Sequence, residues 1–223
     1  MQKDKKSRRI SDPMARRLPM YYRQLCDIEK EGAVDISSFE LAKRMDLTDS
    51  QIRHDLNAFG GFGRRGLGYN VQLLKKSIGD ILDINRERTM IIIGAGNIGR
   101  AVALYPGFSQ SGFHVTALFD VDPEMVGRKL GNIPVYHAKE LAGYLSRHAV
   151  EIAVLATPSS AAQETLDVLA AARVPGVWNF VPVTLSAPEG MIVYDVHLTD
   201  SLMVLSFRMH EQQVHRENKD WTE

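Results

Sequence analysis

The chain has 223 residues, 44% hydrophobic and 24% charged, with no formal net charge, which suits a globular protein of two compact domains. No run approaches 18 uninterrupted apolar residues, so no transmembrane helix is expected, and the basic start MQKDKKSRRISDP lacks the apolar core of a secretion signal. The one cysteine, Cys26, excludes an intramolecular disulfide and a cysteine metal cluster; the expectation is a cytoplasmic protein with a buried thiol and no metal.

The zero net charge hides an asymmetry. Residues 1–88 carry 18 Lys+Arg against 13 Asp+Glu, and the remainder 9 against 14. A basic front half suggests nucleic acid as its partner; a solvated basic tail is the plainer alternative. Residues 1–12 are polar, charged and without period, which predicts disorder. Asp12 and Pro13 then read as the cap and first turn of a helix, with Met14, Leu18, Tyr21, Tyr22, Leu25, Cys26 and Ile28 at helical spacing. Pro19 inside this pattern predicts a kink or a later start. A short extended piece over 33–36 follows. Ser38 then caps a helix over 39–45 with Leu41, Ala42 and Met45 inward. Thr48 with Gln51 three residues on has the spacing of a capping box for a third helix over 49–59, with Ile52, Leu56 and Phe59 inward. Two short helices so spaced fit a helix-turn-helix.

Five glycines within residues 60–69, flanking Arg64 and Arg65, predict a tight hairpin or wing. Residues 71–84 resume a helical pattern and read as a connector. From residue 89 onward, strand-like runs at 89–93, 114–119, 151–156, 176–180 and 191–196 alternate with helical patterns such as 160–173. That alternation predicts a Rossmann-like, doubly wound α/β domain with a mostly parallel sheet. Residues 201–216 form an amphipathic helix with Leu202, Leu205, Met209 and Val214 spaced for burial. The expected organisation is a basic tail (1–12), a winged-helix DNA-binding domain with its connector (13–84), a Rossmann domain (85–200) and a C-terminal helix (201–216).

After the first strand of the Rossmann domain comes Gly94-Ala95-Gly96-Asn97-Ile98-Gly99, then a helix. This is G-x-G-x-x-G in the strand–turn–helix context that dinucleotide binding needs: glycines for the turn, for backbone approach to the pyrophosphate and for helix–strand packing, with the helix N-terminus facing the phosphates. Asp120, 21 residues beyond Gly99, ends the second strand. There it accepts hydrogen bonds from ribose hydroxyls and repels a 2′-phosphate, which favours NAD(H). Asp122 either contacts ligand or caps the next helix. Thr157, Pro158 and Asn179 follow strands at the carboxyl edge and are candidates to line the nicotinamide pocket, or to cap loops. On the third front helix, Gln51, Arg53, His54 and Asn57 are candidates for base contacts, and Arg64 and Arg65 of the wing for a minor groove or phosphates. The alternative for each is a solvated polar face.

The chain resembles the bacterial redox-sensing transcriptional repressors of the Rex family from about residue 13 to 216. The strings that carry the likeness are Arg16-Arg17-Leu18-Pro19 with Tyr21-Tyr22-Arg23, Gln51-Ile52-Arg53-His54-Asp55-Leu56, Phe59-Gly60 with Arg65-Gly66 and Gly68-Tyr69, the glycine motif, Tyr105-Pro106-Gly107-Phe108, Phe119-Asp120-Val121-Asp122-Pro123, Asn179-Phe180 and Leu205-Ser206-Phe207. The resemblance implies a homodimer that exchanges its C-terminal helix between subunits, and NADH that releases operator DNA while NAD+ permits or favours binding. It also implies target genes of anaerobic or fermentative metabolism and a role for Tyr105 at the cofactor. Two positions depart from the pattern. His54 stands where the family commonly has Lys. Val196-His197 stands where it tends to have Val-Asp in a switch network with Tyr105, and Asp195 lies two residues earlier. His197 or Asp195 is therefore the candidate substitute, and His197 would make the NADH response depend on pH near neutrality.

An NAD-dependent dehydrogenase is the main rival reading. It needs an acid/base residue at the hydride site, whereas His137 and His148 read as surface residues near helices, away from the ligand edge. A nucleotide sensor that binds a protein instead of DNA is the other rival. A sensor with no catalytic residues is the expectation.

Overall fold

The computed structural model describes residues 10–60, 63, 64 and 68–220, with backbone alone at Arg64 and 217–220. Residues 1–9 of the tail predicted over 1–12, and Arg65, fall outside the described residues; Ser11 and Asp12, at the end of that stretch, already belong to the start of a helix. Two units divide the chain, Met1–Glu87 and Arg88–Glu223.

The first unit runs α1 (Asp12–Lys30), β1 (Asp35–Ile36), α2 (Ser38–Met45), α3 (Asp49–Phe59), β2 (Gly63–Arg64), β3 (Gly68–Asn70) and α4 (Val71–Leu82). Ser11, not Asp12, takes the N-cap position of α1, and the helix runs through Pro19 without a late start. The proline costs about 3 kcal/mol. The helix buries Met14, Leu18, Tyr21, Leu25 and Ile28, and at roughly 2 kcal/mol for each large apolar side chain that stripe outweighs the loss. Ser37, not Ser38, caps α2: its hydroxyl accepts from Glu40 N–H while the Glu40 carboxylate accepts from Ser37 N–H. Asp46 in the left-handed region (φ 54°) ends α2 and turns the chain toward Thr48. The antiparallel sheet has the order β1-β3-β2, with Ile36 opposite Tyr69 and Tyr69 opposite Gly63. A helix pair followed by a β-hairpin on one core is a winged helix.

The second unit runs β4 (Arg88–Ile93), α5 (Asn97–Ala103), α6 (Gly107–Gln110), β5 (Phe113–Asp120), β6 (Lys129–Leu130), β7 (Ile133–His137), a 3-10 turn (Ala138–Glu140), α7 (Leu141–Leu145), β8 (Ile152–Leu155), α8 (Ser159–Ala171), β9 (Gly176–Asn179), β10 (Ile192–Asp195) and α9 (Leu198–Asp220). The sheet order is β10-β9-β8-β4-β5-β7-β6, parallel except where β6 lies antiparallel on β7. Counted without β6, the strands lie in the spatial order 3-2-1-4-5-6 of a dinucleotide-binding Rossmann sheet. Strands β6 and β7 are not among the strands expected from the apolar pattern. They are short, and Pro134 interrupts the pattern that would mark the second.

Alternate residues of the central strands feed two cores. Ile91, Ile93, Ala153 and Leu155 join Leu166 and Leu169 of α8 on one face; Met90, Ile92 and Val154 join Val102 of α5 on the other. The last helix starts three residues earlier than its apolar pattern predicts and is exposed along its described length, with Leu202 64%, Leu205 53% and Met209 55% accessible. No helix among the described residues is long and apolar enough to cross a membrane.

Candidate nucleic-acid and dinucleotide sites

A buried carboxylate ties α3, the second helix of the pair, to α1. Asp55 of α3 is fully buried. Arg17 of α1 grips it with two bonds, Nε to Oδ2 at 2.6 Å and Nη2 to Oδ1 at 2.9 Å. Tyr21 O–H donates to Oδ2 at 3.0 Å and Gln51 Nε2 to Oδ1 at 2.8 Å. Burial pushes the Asp55 carboxyl up, but the bonds from Arg17, Tyr21 and Gln51 outweigh it and hold the group below its ordinary value. Burial also pushes the Tyr21 hydroxyl well up, aided by its bond to Asp55. A buried charge is tolerated when paired and hydrogen-bonded in this way.

Thr48 caps α3 by accepting from Gln51 N–H at 3.2 Å. The expected reciprocal half of a capping box is missing, because the Gln51 side chain turns to Asp55 instead. For the same reason the structure does not leave the Gln51 amide facing outward to read a base. Arg53, His54 and Asn57 are exposed along one side of α3. Arg53 pairs with Asp49, one turn earlier. The His54 ring is 73% exposed, with Nδ1 3.6 Å from Asp55 Oδ1. Arg64 lies on β2 of the wing, and Arg65 is outside the described residues.

The second site sits where the strand order reverses, at the carboxyl ends of β4 and β8. Gly94 has φ 100°, and a Cβ there would lie 2.3 Å from the Ala156 carbonyl oxygen after β8. A Cβ on Gly99 would lie 1.8 Å from the Gly94 carbonyl oxygen, while one on Gly96 would meet nothing within 4 Å. The first and third glycines are therefore required by the fold, and the second leaves open space. Gly96, Asn97 and Ile98 are exposed at the start of α5, where first-turn N–H groups lack helical acceptors and favour an anion. Asp120 accepts from Ala95 N–H with one oxygen and from Val121 and Asp122 N–H with the other, at 2.7 and 2.8 Å. It thus ties the glycine loop to the end of β5. Lone pairs remain for ribose hydroxyls, since a carboxylate offers about four acceptor sites.

Asp122 closes a turn by accepting from Glu124 N–H at 2.9 Å; no helix follows it. Thr157 stands at the carboxyl edge of β8 with its hydroxyl oxygen buried and unpartnered, and Pro158 leads into α8. Asn179 is buried, and its amide is spent inside the protein: Oδ1 accepts from Val181 N–H at 2.9 Å, and Nδ2 donates to Val181 O at 3.1 Å and to Asp195 Oδ1 at 2.8 Å. It braces β9 against β10 and is not turned to a ligand. Asp195 is engaged in that brace, while His197 is exposed just before α9. Tyr105 follows α5, whose seven residues carry it about 10 Å from the glycine loop. Its ring packs edge-on against Phe108 at 4.9 Å, so one chain does not bring it to the carboxyl edge.

His137 departs from its expected place away from the ligand edge: it ends β7 opposite Asp120 at that edge and starts the 3-10 turn, accepting at Nδ1 from Lys139 N–H. Only the pairing of β7 with β5 puts it there. His148 does sit beyond α7, stacked on Tyr144 at 4.0 Å. Among the described residues no group of three or more His, Cys, Asp or Glu could hold a metal.

A winged helix and a dinucleotide-type Rossmann unit on one chain define a DNA-binding regulator with a nucleotide-sensing module. Residues 9–57 match the family described as "putative DNA-binding protein N-terminus", and residues 85–183 the family described as "CoA binding domain". The redox-sensing transcriptional repressor Rex of Clostridioides difficile (strain 630) is 44% identical over 205 residues, covering 92% of this chain and 98% of that protein. Three solved structures of RSP, a Rex-family repressor, share the fold. The complex with beta-NAD+ and operator DNA has a TM-score of 0.85 at 40% identity, over 94% of this chain and 97% of the other. The complex with beta-NADH has a TM-score of 0.86 at 38% identity, over 94% and 98%. The chain belongs to the Rex family of redox-sensing transcriptional repressors.

Proposed function

We propose that this chain is a homodimeric repressor that holds operator DNA with α3 and the β2–β3 wing and releases it when NADH occupies the glycine loop, with NAD+ permitting or favouring DNA binding. The observation that carries this reading is the match, over 94% of the chain, to RSP in complex with both beta-NAD+ and operator DNA. Arg53, His54 and Asn57 meet base edges or phosphates, Arg64 and Arg65 grip DNA from the wing, and Gln51 acts one step back by fixing Asp55. The loop from Gly94 to Gly99 cradles the pyrophosphate, Asp120 selects the unphosphorylated ribose, and Thr157 and Pro158 bound the nicotinamide end.

The Asn179–Asp195 brace lies three residues before α9, so a change at the carboxyl edge has a short covalent route to that helix. Leu198, Leu202, Leu205 and Met209 form a stripe on α9 that a lone chain leaves in water, and a second copy is the partner that covers it. NADH then acts only through its differential affinity for two arrangements of the dimer. The protein works in the cytoplasm, binding nucleotide without turning it over.

The test is fluorescence anisotropy of a labelled palindromic operator titrated with protein alone, with NAD+ and with NADH. Selective release by NADH is expected. Tight binding indifferent to both nucleotides would remove the sensor from the reading, and substrate-dependent NADH consumption would restore the dehydrogenase.

A further inference from the structure

We propose that Asp49 is a positioning residue for operator recognition: it holds the Arg53 guanidinium on the exposed side of α3, so that sequence selectivity depends on a carboxylate that itself repels DNA. This rests on the reading above that Arg53 meets a base edge. Asp49 is the first residue of α3 and Arg53 lies four residues on, which puts both on one face with the acid nearer the N-terminus. That order suits both the side-chain pair and the helix dipole. Asp49 Oδ2 pairs with Arg53 Nη1, with the side chains 30% and 56% exposed. The other carboxylate oxygen, Oδ1, is buried and has no hydrogen-bond partner. Asp49 is therefore wedged on one side and points its charge at Arg53 on the other.

Tyr69 of β3 lies close by. Its hydroxyl is pushed up mainly by burial, with Arg53 drawing it down and Asp49 pushing it further up, so both charges act on the buried ring that anchors the wing strand.

A carboxylate on the DNA-facing side has two effects of opposite sign. Repulsion from phosphates is felt on every duplex, whatever its sequence. Holding Arg53 in one rotamer helps only where that arginine finds its base, because an aligned fork lowers the ordering cost of a bidentate contact. Removing the charge therefore strengthens non-specific binding without strengthening specific binding.

The experiment uses the full chain. Wild-type protein selects duplexes from a random library, and affinities are then measured for a selected duplex and a scrambled one of equal length at several salt concentrations. Asp49→Asn is expected to bind the scrambled duplex about threefold more tightly and to lower the selected-to-scrambled ratio about tenfold, on the scale of one base contact. The motif that this variant itself selects should lose preference at one base pair per half-site. Asp49→Glu, which keeps the charge, should recover part of the ratio. A ratio within twofold of wild type and an unchanged selected motif would overturn the proposal. Arg53→Ala separates the two layers. If it leaves selectivity intact, the underlying reading of Arg53 fails. If it erases one base preference while Asp49→Asn does not, only the role of Asp49 fails. Melting temperature is followed for each variant, and Asp49→Glu supplies the decision if Asp49→Asn does not fold.

Discussion

The two units of this chain hold their sites by opposite means. In the first, α3 is held by side chains that meet from distant points of the sequence: Arg17 and Asp55 are 38 residues apart, Tyr21 and Asp55 34. In the second, the glycine loop is held by backbone, with carbonyl oxygens close to where Cβ atoms on Gly94 and Gly99 would stand and Asp120 accepting the loop's own N–H. The first site depends on side chains that are present; the second, apart from Asp120, depends on atoms that are missing. The difference decides what each can tolerate and how visible each is in the sequence.

The sharpest way to break the first arrangement is Asp55→Ala. It leaves Arg17 without its buried partner and Tyr21 and Gln51 without their acceptor, at an expected cost of about 3–5 kcal/mol to the winged helix, read as lost DNA binding and a lowered unfolding midpoint. Nucleotide binding by the second unit should persist; loss of both would mean the units do not fail separately. The same carboxylate predicts an acid limit. Its folded value lies below the ordinary 3.8, so its stabilisation is fully present above about pH 4 and is lost as pH falls through the folded value. Asp55→Asn should flatten that part of the stability–pH curve; an identical acid limb in the variant would show that other groups carry it.

Two glycine substitutions sharpen the second arrangement. Gly99→Ala places a Cβ 1.8 Å from a carbonyl oxygen, and the loop must shift. NADH affinity should fall about 100-fold, equivalent to roughly 2.7 kcal/mol, measured by titration calorimetry. Gly96→Ala adds its Cβ in open space, so its melting temperature should match wild type without ligand while NADH binding weakens. Equal ligand affinity in both proteins would move the pyrophosphate away from Gly96. The smallest effect is Thr48→Ala, which removes the cap of α3. About 1 kcal/mol of stability should go, with a matching modest loss of DNA affinity and no change in NADH binding.

Much of the fold and of both sites is legible in the amino-acid sequence. The five parallel strands with clear apolar runs, the spacing of Gly94, Gly96 and Gly99, the Thr48 cap and the course of α2 and α3 all depend on neighbours a few residues apart, and Asp120 is legible because it ends the next apolar run. What is not legible there is non-local. Asp55 is one more polar residue on a helix until Arg17 and Tyr21 arrive from α1. Gln51 is the right residue type for an adenine contact, yet its nearer acceptor is Asp55. Asn179 stands at the correct edge of the sheet, and β10 takes its amide. The place of His137 is hidden because β7 is short and carries Pro134.

The two-module plan, the winged-helix and Rossmann classes and the place of the glycine loop are written in local pattern, because helix and strand periods, caps and turn glycines are properties of short segments. Which polar side chains face outward is settled by packing alone. A hydrogen-bonding group is spent on whichever partner burial places beside it, and across 38 residues of chain that partner is set by packing, not by spacing.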